Sequence, residues 1–250
     1  MIITQISDTH LELDTPDGEQ RLRDFERTIA DINTLDPAPD VIVHSGDIVH
    51  NGRSDEYAAA QDILSAARAP VYVLPGNKDD RANLHAAFAA QGYLSSSPEF
   101  IDYAIESFPV RLIALDTMST QSNRGDFCSK RAGRLRVLLN AEPSKPVVLF
   151  AHHPPFRVFE GPDEHHYESR EMAMRLRDTI LQCDRVAAVF CGHVHRAVRG
   201  SVGDIRAASM PSIATNLRKG EYPEYMKSRP VYHLHHFEPD ASFVTQTRIV

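Results

Sequence analysis

The chain has 250 residues, 42% of them hydrophobic and 24% charged, a composition that allows a folded protein with a sizeable core. Its formal net charge is -7 and it contains no basic block, so we expect no long nucleic acid as a partner. No apolar run approaches the roughly 20 residues of a membrane span. The N-terminus lacks the apolar stretch of a signal peptide, and the three cysteines fit no disulfide framework, so we expect a cytoplasmic protein without membrane contact.

Short apolar runs rich in β-branched residues predict strands that are buried on both faces. In chain order they are Ile2–Ile6, Val41–Val43, Val71–Leu74, Leu112–Leu115, Val147–Phe150 and Val186–Phe190. Between several of them, apolar residues recur every three or four positions and predict amphipathic helices, as at Leu22, Phe25, Ile29 and Ile32 and at Met172, Leu176 and Ile180. This alternation of strand and helix indicates a layered α/β domain with much parallel pairing.

The C-terminal part shows a different pattern. Ile205–Ala208, Val231–Phe237 and Phe243–Val250 are predicted strands without long helices between them, so we expect mixed pairing there. No linker and no shift in composition interrupts the sequence. We therefore expect one domain over residues 1–250, in which residues 200–250 complete the second sheet and form a possible oligomer contact.

Five of the predicted strands lead into side chains that bind metals. The segments that follow them are Asp8-Thr9-His10, Gly46-Asp47, Gly76-Asn77, His152-His153 and Gly192-His193-Val194-His195. Ligands of α/β sheets bind beyond the carboxyl ends of the strands, so we expect these loops to converge. Each motif alone is common by chance, but five in succession, each after a predicted strand, favour a single site.

The candidate ligands suit two metal ions better than one. They are Asp8, His10, Asp47, Asn77, His193, His195 and one or both of His152 and His153, and such a mixture of imidazole and carboxylate suits Zn, Mn or Fe. Seven ligands exceed one tetrahedral site but fit two ions if a carboxylate bridges, for which Asp47 is the candidate. Two ions about 3.5–4 Å apart can clamp a phosphoryl group and turn bound water into hydroxide near neutral pH.

These segments resemble the signature of the calcineurin-like metallophosphoesterase superfamily, which is D-x-H, G-D, G-N-H-[DE], a histidine after a strand, and G-H-x-H. The resemblance runs from the first strand to beyond residue 195 and implies a four-layer α/β/β/α sandwich with mixed sheets. It also implies two divalent ions, whose ligands we assign by position. The first ion would be held by Asp8, His10, Asp47 and His195, and the second by Asp47, Asn77, His152 and His193.

Two further segments narrow the resemblance. Asn77-Lys78-Asp79-Asp80-Arg81 and His152-His153-Pro154-Pro155 look like those of class III phosphodiesterases, which act on cyclic nucleotides and glycerophosphodiesters. This implies an enzyme in which metal-bound hydroxide attacks a small phosphodiester. That group often forms dimers or larger assemblies through the C-terminal region, while the sequence leaves the oligomeric state of this chain open.

Lys78 departs from the family pattern, which has a histidine here that is thought to contact phosphate and help protonate the leaving group. A lysine can still bind phosphate as a point charge. The unperturbed pKa of a lysine, about 10.4, makes it a poor general acid near neutrality. The hypothesis is that Lys78 keeps phosphate binding while leaving-group activation rests more on the metals. His153 is a second candidate for phosphate contact, or else lies behind the ligands.

Other functions are compatible with the same residues. The change at Lys78 is the one sign of a phosphoesterase-fold scaffold that has lost catalysis and binds protein partners, but all seven candidate ligands survive. A phosphomonoesterase or a nuclease would use the same metals. Acidic net charge and the lack of an extended basic or aromatic groove weigh against a nuclease.

The remaining histidines have simpler interpretations. His44 lies inside a predicted strand and is expected to be structural. A late strand carries three more, which we expect on the sheet surface or at a partner contact: His233, His235 and His236. His165-His166 lie in a polar insertion, Glu160–Glu168, which is either a lid over the substrate or a solvated loop.

Overall fold

The computed structural model describes residues 1–94, 99–158 and 166–250. Its strands are β1 (Ile2–Ile6), β2 (Val41–His44), β3 (Val71–Val73), β4 (Tyr103–Ile105), β5 (Arg111–Leu115), β6 (Val147–Ala151), β7 (Val186–Cys191), β8 (Val198–Val202), β9 (Ile205–Ser209), β10 (Val231–Phe237) and β11 (Phe243–Ile249). Its α-helices are α1 (Pro16–Ile32), α2 (Ser54–Ser65), α3 (Arg81–Phe88), α4 (Ser129–Asn140), α5 (Arg170–Ile180) and α6 (Glu224–Lys227).

The strands form two mixed sheets. One has five strands in the order β11-β10-β1-β2-β3, and the other has six in the order β4-β5-β6-β7-β9-β8. The central strands β1 to β3 are parallel, as are β5, β6, β7 and β9, while β4, β8, β10 and β11 pair antiparallel. The predicted α/β fold with mixed sheets is therefore confirmed.

Alternate residues of the inner strands show how the layers are stacked. Leu149 of β6 packs in a core with Leu176 of α5, whereas its neighbour Phe150 belongs to a core shared with the five-stranded sheet. Because successive strand residues point to opposite faces, helices cover one face of the six-stranded sheet and the other sheet covers the second face. The rings of Phe190 on β7 and His235 on β10 stack across this interface, 3.6 Å apart.

Helix α1 covers the outer face of the five-stranded sheet. Its N-terminus is capped by the Thr15 side chain, which accepts a hydrogen bond from the Gly18 amide, and Pro16 opens the first turn. Three of the four residues in the predicted apolar stripe, Phe25, Ile29 and Ile32, are buried, and the Phe25 ring meets the His44 ring of β2 edge-on. His44 Nε2 lies 2.8 Å from Thr9 Oγ1, so this histidine has the structural role expected of it.

The strands after residue 200 contribute to both sheets rather than completing only the second. β9 joins the six-stranded sheet, but β10 and β11 extend the five-stranded one because β10 pairs antiparallel with β1. This position also corrects the expectation for two histidines of β10. His233 and His235 are 4% and 0% exposed, because their strand is flanked on both sides and faces the other sheet.

The sequence predicts neither a membrane span nor a disulfide, and the described residues bear on both points. Among them, no helix has both the length and the apolar character needed to cross a membrane. The three cysteines, Cys128, Cys183 and Cys191, are all unpaired.

Candidate metal centre

The loops after β1, β2 and β7 bring four side chains together: Asp8, His10, Asp47 and His195. His10 Nε2 lies 3.4 Å from Asp47 Oδ2 and 3.1 Å from His195 Nε2. His195 Nε2 in turn lies 3.2 Å from Asp8 Oδ1. Ligand atoms of one tetrahedral ion, each about 2.0–2.1 Å from it, are roughly 3.3 Å apart. These four side chains therefore have the spacing that one metal ion requires.

A second group of side chains adjoins the first. Asn77 Oδ1 lies 2.9 Å from His193 Nδ1 and 3.2 Å from His152 Nε2. His152 Nε2 is 3.4 Å from Asp47 Oδ2, the same atom that faces His10. The structure thus brings all seven residues predicted from the sequence to one place, with Asp47 between the two groups.

Five of these residues have an unusual backbone conformation. Their φ angles are positive: 55° at Asp8, 44° at His10, 52° at Asp47, 70° at His193 and 58° at His195. Residues with a side chain rarely adopt this left-handed region. Such strain persists where the surrounding structure imposes it, and it is found most often at functional sites. Here it turns each side chain back toward the common centre.

Two glycines make the close approach of the loops possible. A Cβ atom on Gly76 would overlap with the carboxylate of Asp47, and one on Gly192 would overlap with the side chains of Ser7 and Asp8. No other residue type fits at either position. The glycines that precede Asn77 and His193 in the sequence therefore have a steric cause.

Backbone carbonyls hold the second ring nitrogen of two candidate ligands. His152 Nδ1 lies 2.9 Å from the Ser45 carbonyl oxygen, and His195 Nδ1 lies 3.0 Å from that of Leu217. A carbonyl accepts only from a protonated nitrogen, so Nε2 of each ring is the atom left to face a metal ion. Metal-binding histidines are typically oriented in this way.

Other imidazoles occupy the same position behind the remaining two histidines. His50 Nδ1 lies 3.3 Å from His10 Nδ1, and His166 Nδ1 lies 3.1 Å from His193 Nε2. No sequence signal singled out His50, because its motif is defined by Gly46-Asp47 alone. His166 contacts a candidate ligand and so does not belong to a merely solvated loop. The lid interpretation involves residues 159–165, including His165, which lie outside the described residues.

Asp79 joins two of the motif loops. Its carboxylate accepts hydrogen bonds from the Gly76 amide at 2.8 Å, from the Tyr57 hydroxyl at 2.8 Å and from the Ile48 amide at 3.3 Å. Burial, together with the neighbouring Asp47, raises the pKa of Asp79 to about 7. The loops carrying Asp47 and Asn77 are therefore held together by a buried carboxylate that does not itself face the cluster's centre.

The electrostatics of the cluster favour bound cations. Burial opposes ionisation of Asp47, but His152 and His10 outweigh it and keep the pKa of this carboxyl well below its usual value. Burial also opposes protonation of His152, yet Asp47 and Asp8 raise its pKa to about 9. At His10 burial prevails and lowers the pKa to about 4. Buried carboxylates beside imidazoles form the donor set that Zn, Mn and Fe bind, and a bound ion would take the place of the proton that His152 otherwise holds.

The two candidate phosphate contacts occupy different positions. The backbone amide of Lys78 donates a hydrogen bond to Asp47 Oδ1 at 2.7 Å, and Lys78 is partly exposed. Burial lowers the pKa of His50 most, Arg21 lowers it further, and the charge of Lys78 adds to the effect, so the Lys78 side chain lies near this ring. His153 is fully buried, with Nδ1 2.8 Å from Thr117 Oγ1 and Nε2 3.3 Å from the Asn123 carbonyl oxygen. This arrangement favours a place behind the ligands for His153.

A cleft opens beside the second group of ligands. It has a volume of about 410 Å³ and is lined by Asn123, Arg124, His166, His193, Val194, Arg196 and Lys219. Three of these side chains are cationic. A small anionic molecule in this cleft would lie against His193 in a positive field.

The fold and the cluster define a class of protein: an α/β/β/α sandwich that carries paired carboxylate and imidazole groups, suited to binding metal, at the carboxyl ends of its strands. A family model described as calcineurin-like phosphoesterase matches residues 1–197. The chain belongs to this family, whose members are metal-dependent phosphoester hydrolases.

Two relatives named as phosphodiesterases support the same family. The chain is 32% identical to a probable glycerophosphodiester phosphodiesterase of Arcobacter nitrofigilis, over 100% of this chain and 93% of that one. It is 23% identical to a 3',5'-cyclic adenosine monophosphate phosphodiesterase of Vibrio vulnificus, over 86% and 77% of the two chains. A dimetal phosphatase from Danio rerio has the same fold, with a TM-score of 0.73 at 15% identity over 100% and 96% of the chains.

Proposed function

We propose that this protein is a binuclear metal-dependent phosphodiesterase that hydrolyses a small phosphodiester of the cyclic-nucleotide or glycerophosphodiester type. The observation that carries the proposal is the position of Asp47, whose Oδ2 atom lies 3.4 Å from both His10 Nε2 and His152 Nε2. A carboxylate in that position can be shared by two ions. Asp8, His10 and His195 complete one set of ligands.

The second set is completed by Asn77, His152 and His193, and both sets suit Zn, Mn or Fe. When bound, two such cations supply an activated water and compensate the charge that develops at phosphorus. The protein's part is to hold them. The backbone of Lys78 fixes the Asp47 carboxylate, and the Asp79 hydrogen bonds lock the loops on which Asp47 and Asn77 lie.

The walls around the cluster support a small anionic substrate. Arg196 and Lys219 line the cleft next to His193, and Lys78 lies on the His50 side of the cluster. Cationic side chains in these places would bind the phosphate and orient it toward the metals. The cleft volume of about 410 Å³ suits a small molecule, and the net charge of -7 does not favour long nucleic acid. Relatives whose names specify phosphodiesters support the same substrate class.

Hydrolysis of bis(p-nitrophenyl) phosphate by the purified protein, first stripped of metal and then supplied with Mn²⁺, tests this proposal. We expect activity only with the metal, and higher activity than with the monoester p-nitrophenyl phosphate. Asp47→Asn should lower kcat/KM by on the order of 100-fold or more. Asp62→Asn, an exposed acidic position on α2, is the matched control and should leave it unchanged.

Each alternative predicts a different outcome of the same assay. Metal binding without hydrolysis of any ester would favour the scaffold, and preference for the monoester would favour a phosphomonoesterase. Cleavage of single-stranded DNA in preference to cyclic nucleotides and glycerophosphodiesters would favour a nuclease. Any of these results would overturn the proposal.

A further inference from the structure

A second cleft lies between the two sheets, at the side of the sandwich where their edge strands β8 and β11 face each other. We call it the inter-sheet cleft. It has a volume of about 620 Å³, and its walls come from β7 to β11, including Phe190, Arg199, Arg206, His233 and Phe243. None of the seven candidate metal ligands lines it.

The register of the six-stranded sheet explains both the space and the charge of this cleft. Ala188 of β7 pairs with Arg206 of β9, and Ala208 of β9 pairs with Arg199 of β8. Residues that pair directly share a face of the sheet, so both arginines lie on the same inner face as Phe190, which pairs with Ala208. The two alanines are too small to fill the gap between the sheets, and the two arginines bring positive charge to it.

The arginines of the inter-sheet cleft are available to a ligand. Within residues 1–94, 99–158 and 166–250, neither the Arg199 nor the Arg206 guanidinium forms an ion pair with a carboxylate within 4.0 Å. The hydrogen bonds from Ser242 are the main reason why the pKa of the exposed Asp240 carboxyl is lowered, and the charge of Arg206 contributes less. A guanidinium without a carboxylate partner is suited to binding phosphate, sulfonate or carboxylate groups through paired hydrogen bonds.

His233 provides an independent sign of a ligand. Only 4% of this residue is exposed, and its Nδ1 atom is buried without a hydrogen-bond partner among the described residues. Burial, with the charge of Arg199, lowers the pKa of His233 to about 4, so the ring is neutral near pH 7. A buried polar atom without a partner is unfavourable, and the ring that carries it lines the cleft.

We propose that the inter-sheet cleft binds a small molecule in which an aromatic or heterocyclic ring carries an anionic group. Phe190 and Phe243 offer an aromatic wall for the ring, Arg199 and Arg206 meet the anion, and His233 supplies a neutral polar contact. The volume lies within the roughly 300–1,000 Å³ that is usual for sites of this kind. This site would be separate from the metal centre and does not depend on the proposed hydrolysis.

Fluorescence titration with 8-anilinonaphthalene-1-sulfonate, an aromatic anion, tests the proposal on the full chain, both with Mn²⁺ and with EDTA. We expect one saturable site under both conditions. The double variant Arg199→Ala/Arg206→Ala should weaken binding by roughly tenfold or more, because it removes the charge-assisted hydrogen bonds to the sulfonate. The uncharged analogue N-phenyl-1-naphthylamine should bind this variant and the native protein equally.

Two further variants keep the test decisive. Arg23→Ala/Arg27→Ala removes two exposed arginines of α1 and should not change the affinity for the sulfonate. Ala208→Phe fills the cleft and should abolish binding of both probes, with melting curves showing that it remains folded. Equal sulfonate affinity in native protein and the Arg199→Ala/Arg206→Ala variant would overturn the proposal. So would a dimer, seen by light scattering, that Ala208→Phe dissociates, because the cleft would then bind a second copy.

Discussion

At the scale of single residues, the histidines of the cluster differ in the group that contacts the ring nitrogen facing away from the cluster. His152 and His195 are held by backbone carbonyls, which depend on the fold alone. His10 is backed by the side chain of His50, at 3.3 Å between their Nδ1 atoms. A side chain can be exchanged without altering the backbone, so this contact offers a direct way to probe how ring orientation affects metal binding.

Replacing His50 with alanine should lower the affinity for Mn²⁺ by about 10- to 100-fold, the usual effect of removing a group that orients a metal-binding imidazole. His50→Asn, which keeps a polar group near the His10 ring, should recover part of the loss. The measurement is calorimetric titration of the metal-free protein. His236→Ala on β10 serves as control. An affinity for Mn²⁺ that does not change in His50→Ala would show that His10 needs no such partner.

Lys78→Ala should raise KM for bis(p-nitrophenyl) phosphate by roughly 10- to 100-fold with little change in kcat, since a hydrogen bond between charged groups contributes about 1.5–3 kcal/mol. Lys78→His restores the residue that is usual at this position in the family. It should raise kcat for diesters with poor, alkyl leaving groups but not for the nitrophenyl ester. Steady-state kinetics of the variants decide this, and an unchanged KM in Lys78→Ala would remove Lys78 from phosphate binding.

Sequence reasoning at the residue scale found all seven side chains of the cluster because each follows a predicted strand and a recognisable motif. It gave no role to His50, since a histidine three residues after Asp47 has no pattern to mark it. It also assigned His233 and His235 to a surface. Alternating histidines on a strand look solvated in the sequence, and only the second sheet packed over them makes them buried.

At the scale of the elements, a buried ion network ties the Asn77 loop to two helices. The carboxylate of Asp116, just after β5, forms ion pairs with Arg81 of α3 at 2.5 Å and with Arg131 of α4 at 3.0 Å. It also accepts the amide of Ile101 at 3.1 Å. Arg81 ends the segment that begins with Asn77, so this network fixes the entry to α3 and with it one side of the candidate metal centre.

Asp116→Asn should therefore destabilise the protein by about 3–5 kcal/mol, because it removes the carboxylate that two largely buried guanidinium groups share, although Arg131 keeps its longer ion pair with Asp126 at 3.4 Å. Burial opposes ionisation of Asp116, but Arg81 and Arg131 outweigh it and lower the pKa of this carboxyl. A carboxyl group whose pKa is lower in the folded state stabilises the fold at every pH above its unfolded-state pKa, which is about 3.9. This stabilisation is lost as the pH falls through the folded-state pKa.

Urea unfolding at pH 7 and at pH 3–4 measures both effects. The variant should lose less stability than the native protein on acidification, since it lacks the carboxyl group whose protonation costs stability. Asp55→Asn, in the exposed pair with Arg53, is the control and should leave the midpoint unchanged. Equal midpoints for Asp116→Asn and the native protein at pH 7 would rule out a stabilising role for the network.

Most of the strands that the sequence predicted have largely buried faces, although the partly exposed edge strand β11 was predicted as well. All nine predicted strands are present, within one or two residues at their ends. Two edge strands were not predicted: β4, which has only three residues, and β8, whose sequence Val198-Arg199-Gly200-Ser201-Val202 mixes polar and apolar positions. An edge strand with one open side does not need the continuous apolar run by which buried strands are recognised.

At the scale of the whole molecule, residues far apart in the sequence share one core. Ile3 of β1 and Phe243 of β11 belong to the same cluster of buried hydrophobic residues, which also includes Phe150 of the other sheet. This supports the expectation of one domain over residues 1–250, which limited proteolysis would test by yielding no stable fragment. It also explains how five loops scattered between residues 8 and 195 are held at one end of the sandwich.

We expect Asp47 to be shared by two metal ions, which crystals grown with Mn²⁺ and measured at the manganese absorption edge would reveal. We predict two anomalous peaks about 3.5–4 Å apart, one on each side of the Asp47 carboxylate. The first should lie among Asp8, His10 and His195 and the second among Asn77, His152 and His193. A single peak, or two peaks of which only one contacts Asp47, would contradict the account.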